Sequence, residues 1–188
     1  MQDLVPRSRR VNGERHPTTL LHMFGYANAL VALKRPAEAE PLLREVRAGQ
    51  CEVLGPAHVE TLGTTQKLAA LLRTTDRPAE AIELLASASD DARRVLVGPR
   101  ATQFATWLAT LGNAHAALAT PAHRAAADAC LEEAAAIRTE RLGLDHADTR
   151  RTVGELVAVL EARHADEPAG GHEHRAAGWR QRLAPVPK

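Results

Sequence analysis

The chain has 188 residues, of which 45% are hydrophobic but only 3% aromatic, enough for one domain with a real core. Lys and Arg number 24 against 23 Asp and Glu, a formal net charge of +1, so no large field of one sign points to nucleic acid or to an acidic membrane. No run approaches the roughly 20 apolar residues of a membrane span, the N-terminus has no apolar signal core, and a cytoplasmic chain is the expectation. Cys51 and Cys130 read as buried free thiols. Ala, Leu, Glu and Arg, all strong helix formers, outweigh the strand formers, and the preponderance of Arg (21, against 3 Lys) suggests a GC-rich bacterial source.

Residues 1–12 read as an N-terminal extension, either flexible or the start of a preceding helix. From Gly13 the chain repeats. Gly13-Glu14-Arg15-His16-Pro17-Thr18-Thr19-Leu20 is answered by Gly55-Pro56-Ala57-His58-Val59-Glu60-Thr61-Leu62, with His16 and His58, like Thr19 and Thr61, 42 residues apart. Arg35-Pro36-Ala37-Glu38-Ala39 recurs as Arg77-Pro78-Ala79-Glu80-Ala81 at the same interval, and Leu42-Leu43 as Leu84-Leu85. The first unit holds expected helices over 18–34 and 37–54, the second over 60–75 and 78–96. In the second unit Leu62, Leu68, Ala69, Leu71 and Leu72 follow a 3.6-residue period, and Ala81, Leu84, Leu85, Ala88, Ala92 and Leu96 form the next stripe. Pro78 suits a first helical turn, Gly98 a left-handed C-terminal cap, and Pro99 a stop.

The third unit opens at Gly98-Pro99 and runs to about 46 residues; its extra turn carries Phe104 and Trp107, and its helices are expected over 102–119 and 122–142. The fourth opens at Gly143-Leu144-Asp145-His146, holds a helix over 147–163, and breaks at Asp166-Glu167-Pro168-Ala169-Gly170-Gly171. A last helix over 173–183, with Trp179 and Leu183 on one apolar side, is expected to cap the open end, and residues 184–188 to form a disordered tail. The units are thus about 13–54, 55–97, 98–142 and 143–183, within one domain over 13–183. A two-helix unit cannot bury both stripes alone, but stacked units can. The expected fold is therefore all-α: an α-solenoid of about four antiparallel helix pairs, wound into a right-handed superhelix with a concave and a convex face, ended by a capping helix.

The run Gly13-x-x-His16-Pro17-x-Thr19-Leu20, the stretch Arg35 to Leu43 and the 42-residue period resemble kinesin-light-chain-type tetratricopeptide repeats over roughly residues 11–163. The match departs from the family in the third unit, where Arg100-Ala101 replaces His-Pro, and at Val59 and Ala147, where the family has Pro. The tail from Arg175 to Arg180 is similar to the endings of bacterial proteins in which such repeats follow a kinase or regulatory domain. The resemblance implies a non-catalytic scaffold that binds a peptide or partner protein in a concave groove lined by the first helix of each pair. Carried onto this sequence, that groove takes Leu21, Phe24 and Asn28 from the first unit, and Gln66, Lys67, Ala70 and Arg73 from the second. The third adds Asn113 and Ala116, and the fourth Arg151, Gly154 and Glu155. Asn113 matches the family's Asn that contacts a bound peptide backbone, a role an amide fills by donating and accepting at once. At that place the other units have Gly25, Lys67 and Glu155. An alternative is a regulatory or assembly segment of a larger bacterial signalling protein. Homodimerisation through Ala-rich helix-end faces is a further expectation.

No residue pattern points to catalysis or to a cofactor. His16, His58 and His146 recur at inter-repeat turns and fall in different units, so they suit helix starts rather than one metal ion. His172-Glu173-His174 does not put both rings on one helix face and reads as a solvated hinge. Ser87 and Ser89 have no His or acid in register, Gly170-Gly171 lacks the Lys of a phosphate loop, and Asp90-Asp91 and Glu132-Glu133 read as solvated faces. The expectation is no enzyme, no metal and no nucleic acid.

Overall fold

A computed structural model of the chain describes residues 3–183. The expected tail over 184–188 lies outside the described residues. These residues form ten α-helices and one 3-10 turn, with no strand among them, and they divide into two compact units, the first ending at Val95 and the second starting at Leu96. Unit 1 holds α1 (Leu4–Asn12), α2 (Pro17–Ala32), α3 (Pro36–Val53), α4 (Val59–Thr74), α5 (Pro78–Ala86) and α6 (Ser89–Val95). Unit 2 starts with the 3-10 turn Gly98–Arg100 and continues through α7 (Ala101–Leu118), α8 (Pro121–Leu142), α9 (Ala147–Asp166) and α10 (His172–Leu183). In each unit a helix packs chiefly on its neighbours along the chain, as a stack of hairpins requires.

The repeated Gly-x-x-His-x-x-Thr motif builds the turn between hairpins. Gly13, Gly55 and Gly143 end α1, α3 and α8 at φ of 91°, 92° and 83°, where a side chain would be strained. Three residues later an imidazole caps the next helix. Nδ1 of His16, His58 and His146 accepts from the amides of Thr18, Glu60 and Asp148 at 3.2, 3.3 and 3.2 Å. Thr19, Thr61 and Thr149 then turn inward, each no more than 1% exposed. The hydroxyl of Thr61 donates to the carbonyl of Gly55 at 2.8 Å, and that of Thr19 to the carbonyl of Ser8 at 3.3 Å, so the turn is tied to the helix before it. α7 follows the departure from the motif: its N-cap residue, Arg100, makes no side-chain cap.

The turns inside the hairpins repeat too. Lys34, Asp76 and Ala119 adopt left-handed backbone at φ of 57°, 60° and 53°, and Pro36, Pro78 and Pro121 open the second helix two residues later. Arg35 pairs with Glu38 at 2.6 Å and Arg77 with Glu80 at 2.6 Å, closing the first two of these turns.

The stripes become cores. Leu20, Met23, Leu43, Leu62, Leu72 and Leu85 are no more than 2% exposed in unit 1; Trp107, Leu131, Leu156 and Leu160 are equally buried in unit 2. Each such side chain contributes about 1.5–3 kcal/mol through burial. Helices α7 and α8 meet closely at Gly112, where a Cβ would lie 2.9 Å from Leu131 Cγ and 3.3 Å from the Ala127 carbonyl oxygen.

The structure corrects four details. The helix expected over 78–96 is broken at Ser87-Ala88, because the hydroxyls of Ser87 and Ser89 donate to the carbonyls of Leu84 and Leu85 at 3.0 and 2.8 Å and compete with the helical amides. Gly98 has the expected left-handed φ of 57°, yet the helix ends earlier, at Val95, and Gly98 opens the 3-10 turn instead. In α10 the buried residues are His172 and Ala176 rather than Trp179 and Leu183; Trp179 stays half-buried, with the Arg182 guanidinium 4.8 Å above its ring. His172 is no solvated hinge: it starts α10, is 5% exposed and lies under Gly170. Residues 4–12 of the N-terminal extension form α1, which buries Val5 and Ser8.

Candidate functional site

The residues expected to line a groove lie on α2 and α4 in unit 1, and on α7 and α9 in unit 2. On α2, Leu21 is 63% exposed and Gly25 is open on its side-chain face, with nothing within 4 Å of an added Cβ. Phe24 is half-buried and packs against the cluster of Val5, Met23 and Val46, so it serves the core as well as the face. Asn28 is half-buried; its Oδ1 is shielded from solvent and has no hydrogen-bond partner. Helix α2 contains no Asp, Glu, Lys or Arg. On α4, Gln66, Lys67, Ala70 and Arg73 are half-buried and Gly63 is open. Neither Lys67 nor Arg73 forms an ion pair among the described residues.

In unit 2, Asn113 and Ala116 are half-buried on α7, Gly154 is open on α9, and Glu155 is half-buried. Arg151 is exposed and already bound to Asp148 at 2.7 Å, one turn before it on the same helix. A cavity of about 240 Å³ lined by Pro121, Ala122, Ala125, Arg163, Asp166 and Glu167, and one of about 270 Å³ lined by Arg44, Leu72, Glu80, Glu83, Leu84 and Ser87, include none of the groove residues. Among the described residues no group of three or more His, Cys, Asp or Glu is placed to hold a metal ion.

The second helices of the hairpins present a different surface, crossed by ion pairs. In unit 1, Glu40 accepts from Arg44 at 2.8 Å and from Arg77 at 2.9 Å, while Glu80 accepts from Arg77 at 2.6 Å and from Arg44 at 3.4 Å, a closed ring joining α3 to α5. Burial alone would raise the Glu40 carboxyl, but the hydrogen bonds from Arg44 and Arg77 outweigh it and hold the group below the usual carboxylate value. Glu80 is lowered chiefly by its bond to Arg77.

In unit 2 the corresponding acid is buried. Asp128 stands 88 residues after Glu40, the same interval that separates His58 from His146. Its side chain is 4% exposed, it takes Arg175 in a two-pronged bond at 2.8 and 2.7 Å, and it also binds Arg163. Arg175 further reaches Glu132 at 2.5 Å and so fastens α10 to α8. The bond to Asp128 is the main cause of a raised Arg175 pKa. Arg138, 88 residues after Gln50, is 3% exposed and meets only neutral oxygens: the Thr106 hydroxyl at 3.0 Å, the Asp148 carbonyl at 3.2 Å and the Thr152 hydroxyl. Burial lowers its pKa. The sequence reading missed Asp128 and Arg138; carrying Glu40 and Gln50 forward by the repeat interval would have located both positions.

Residues 27–60 match the tetratricopeptide repeat family. The solved structures that resemble this fold include the putative kinesin light chain nearly identical TPR-like repeats of Podosopora anserina. One such structure is 20% identical at a TM-score of 0.75, covering 98% of this chain and 86% of its own. A single-substitution form of those repeats is 21% identical at the same TM-score, covering 95% and 82%. BtubC (BKLC) from P. vanneervenii is 17% identical with a TM-score of 0.74, covering all of this chain and 74% of its own. No curated protein sequence matches. Residues 27–60 thus match a tetratricopeptide repeat, and the described residues share the all-α, TPR-like repeat solenoid fold of these structures. Tetratricopeptide repeats as a class mediate protein–protein interaction. Among the described residues no helix is long and apolar enough to cross a membrane.

Proposed function

We propose that the chain is a non-catalytic scaffold that binds a peptide or a partner protein on the faces of its first helices, α2 and α4 in unit 1 and α7 and α9 in unit 2. The observation that supports this reading is the contrast between helix faces. The second helices satisfy their charges among themselves through Glu40, Arg44, Arg77 and Glu80. The α2 and α4 faces instead leave Leu21 exposed, Asn28 Oδ1 without a donor, and Lys67 and Arg73 without a carboxylate. Apolar area at Leu21, the unpartnered amide oxygen of Asn28, and the Lys67 and Arg73 cations without a carboxylate, on helices open at Gly25 and Gly63, suit an extended peptide, whose main chain an amide reads and whose side chains need shallow apolar contact. Asn113 on α7 supplies the same amide chemistry in unit 2.

The test is selection of binders from a random peptide display library on the full chain, followed by calorimetry with a selected peptide. Leu21→Glu and Arg73→Ala are each expected to weaken binding of a peptide held on unit 1, and Asn113→Ala that of a peptide held on unit 2, about 10-fold or more, the loss of one good contact. Arg44→Ala, on the ion-paired face, is expected to leave affinity unchanged, with helical circular dichroism constant throughout. A library that yields no binder, or binders that respond to Arg44→Ala and ignore the other three, removes the reading.

A further inference from the structure

One hairpin turn differs chemically from the other two. The turns α2–α3, α4–α5 and α7–α8 share a left-handed residue (Lys34, Asp76, Ala119) and a proline two residues later (Pro36, Pro78, Pro121). At the residue before the proline and the second after it, the first two turns carry Arg35 with Glu38 and Arg77 with Glu80, each a two-pronged pair. The third carries Thr120 and His123. There the Thr120 hydroxyl accepts from the His123 amide at 3.3 Å, and the closure across the turn is made by two imidazoles: Nδ1 of His123 lies 2.8 Å from Nδ1 of His115, at the end of α7.

The geometry defines what this pair can hold. The ring centroids are 5.1 Å apart, farther than the two nitrogens by about two ring radii, so both Nδ1 atoms sit nearly on the line between the rings and their lone pairs point at each other. A metal ion bound by both would need nitrogens about 3.4 Å apart with lone pairs converging away from that line, given metal–nitrogen distances near 2.1 Å and tetrahedral angles. A proton fits instead. One nitrogen donates, the other accepts, and there is room for one hydrogen between them. A proton on each Nδ1 would set two N–H groups head to head at hydrogen-bond distance, and with both rings cationic would add like-charge repulsion.

We propose that the His115–His123 pair is a proton-operated latch on the α7–α8 turn, closed while one hydrogen lies between the two Nδ1 atoms and opened when both Nδ1 atoms are protonated. Burial first, and then the neighbouring His123, hold the His115 pKa below the ordinary imidazole value of 6.5. The folded turn therefore binds the second proton less readily than an open turn does. Closure is fully favoured above about pH 6.5 and weakens as the pH falls below it. Surrounding charges do not relieve the second proton. Helix α7 has no Asp, Glu, Lys or Arg, and Arg100 stands beyond its opposite end. On the facing turns of α8, Arg124 is bound to Asp166, and Asp128 to Arg163 and Arg175. From the end of α9 come Arg163 and Asp166, both engaged, and His164, whose Nδ1 is buried without a hydrogen bond. The Arg77–Glu80 closure of the α4–α5 turn does not titrate in this range. Glu80 is held below 4.5, and a guanidinium stays charged.

His16, His58 and His146 also lose their Nδ1 caps on protonation, in both units, so the pH dependence of global stability does not isolate the latch. Local hydrogen exchange does. Exchange of amides over residues 112–126 in the full chain, corrected for the intrinsic pH dependence, is expected to accelerate about 10-fold or more between pH 7 and pH 5. Residues 31–40 and 73–82, around the Arg–Glu turns, are expected to stay within about 2-fold. His115→Gln combined with His123→Gln keeps a hydrogen bond without a titrating group and should abolish the acceleration. Proton NMR of the unaltered chain gives a second reading independent of that variant's folding: a strongly deshielded proton shared by the two Nδ1 atoms at neutral pH, lost on acidification. Equal exchange at all three turns, acceleration that survives the double substitution, or two imidazoles that titrate independently would overturn the latch.

Discussion

Units 1 and 2 use one repeat plan with different polar chemistry. In unit 1 the motif is regular, the buried polar groups are neutral (Ser8, Gln50, Thr61, Thr64), and the ion pairs lie on the surface. In unit 2 the motif is degraded: α7 lacks a side-chain cap, Asp128 and Arg138 are buried as ions, and a histidine pair replaces an Arg–Glu pair. Positions related by the repeat interval thus carry a partly exposed acid in one unit and a buried one in the other. Surface charges cost little to place and stabilise little; buried charges are costly to desolvate and more costly to leave unpaired. Disturbances of charge should therefore strike unit 2 and spare unit 1.

The strongest test of that asymmetry is the pair Asp128→Ala and Glu40→Ala. Asp128→Ala removes the buried acid that binds both Arg163 and Arg175, leaving α10 tied to α8 through Arg175 and Glu132 alone, and is expected to cost about 3–5 kcal/mol. Glu40→Ala, at the equivalent repeat position, breaks a ring whose members are partly solvated and is expected to cost under about 1 kcal/mol. Urea unfolding of each variant measures both, and similar losses would remove the distinction. Next comes Gly112→Val, which drives a branched side chain into Leu131 and the Ala127 carbonyl and should cost about 1–3 kcal/mol. Gly25→Ala on the open α2 face should instead stabilise by up to about 1 kcal/mol, since the helix gains propensity and nothing is struck. Thermal unfolding of the two variants separates close packing from mere helix content.

How far the sequence revealed this contrast depends on the range of the interaction. Caps and turns are local, so His58, Pro78 and Gly55 marked their elements within a residue or two. The break at Ser87 escaped because a hydroxyl competing with an amide is a small local preference inside a strong apolar stripe. Trp179 was placed by hydrophobicity, but α10 is held by Arg175 and Arg180, and the indole needs only one covered face. The burial of Asp128 and Arg138 depends on partners from α9, α10 and α7, which no window on the sequence contains. The face formed by α2 and α4 was legible as helix periodicity, whereas the freedom of Lys67 and Arg73 from ion pairing needed coordinates.

Smaller effects should follow the same division at the turns. Ala119 holds a left-handed backbone without any side-chain compensation, whereas Asp76 at the equivalent place belongs to a residue type that tolerates it. Ala119→Gly is expected to stabilise unit 2 by about 0.5–1 kcal/mol, and Asp76→Gly to change unit 1 by less than about half of that. Differential scanning calorimetry would read both.

The least effect is expected from acid acting on unit 1. Glu40 and Glu80 are lowered from 4.5 by their arginines, so their contribution is present in full above that value and is lost as the pH falls through the folded values beneath it. The latch in unit 2 acts at higher pH, because His115 is lowered from 6.5. Between about pH 6.5 and 5, hydrogen exchange at the hairpin turns of unit 1 should therefore remain flat while that at residues 112–126 rises, and below about 4.5 the Glu80 turn should begin to follow. An Arg77→Gln substitution removes the main cause of the lowered Glu80 and should flatten the acid-induced rise in exchange at the α4–α5 turn, leaving that at the α7–α8 turn unchanged. If both turns moved together, their polar groups would be acting as one system, and the division between neutral and charged repeats would have no energetic meaning.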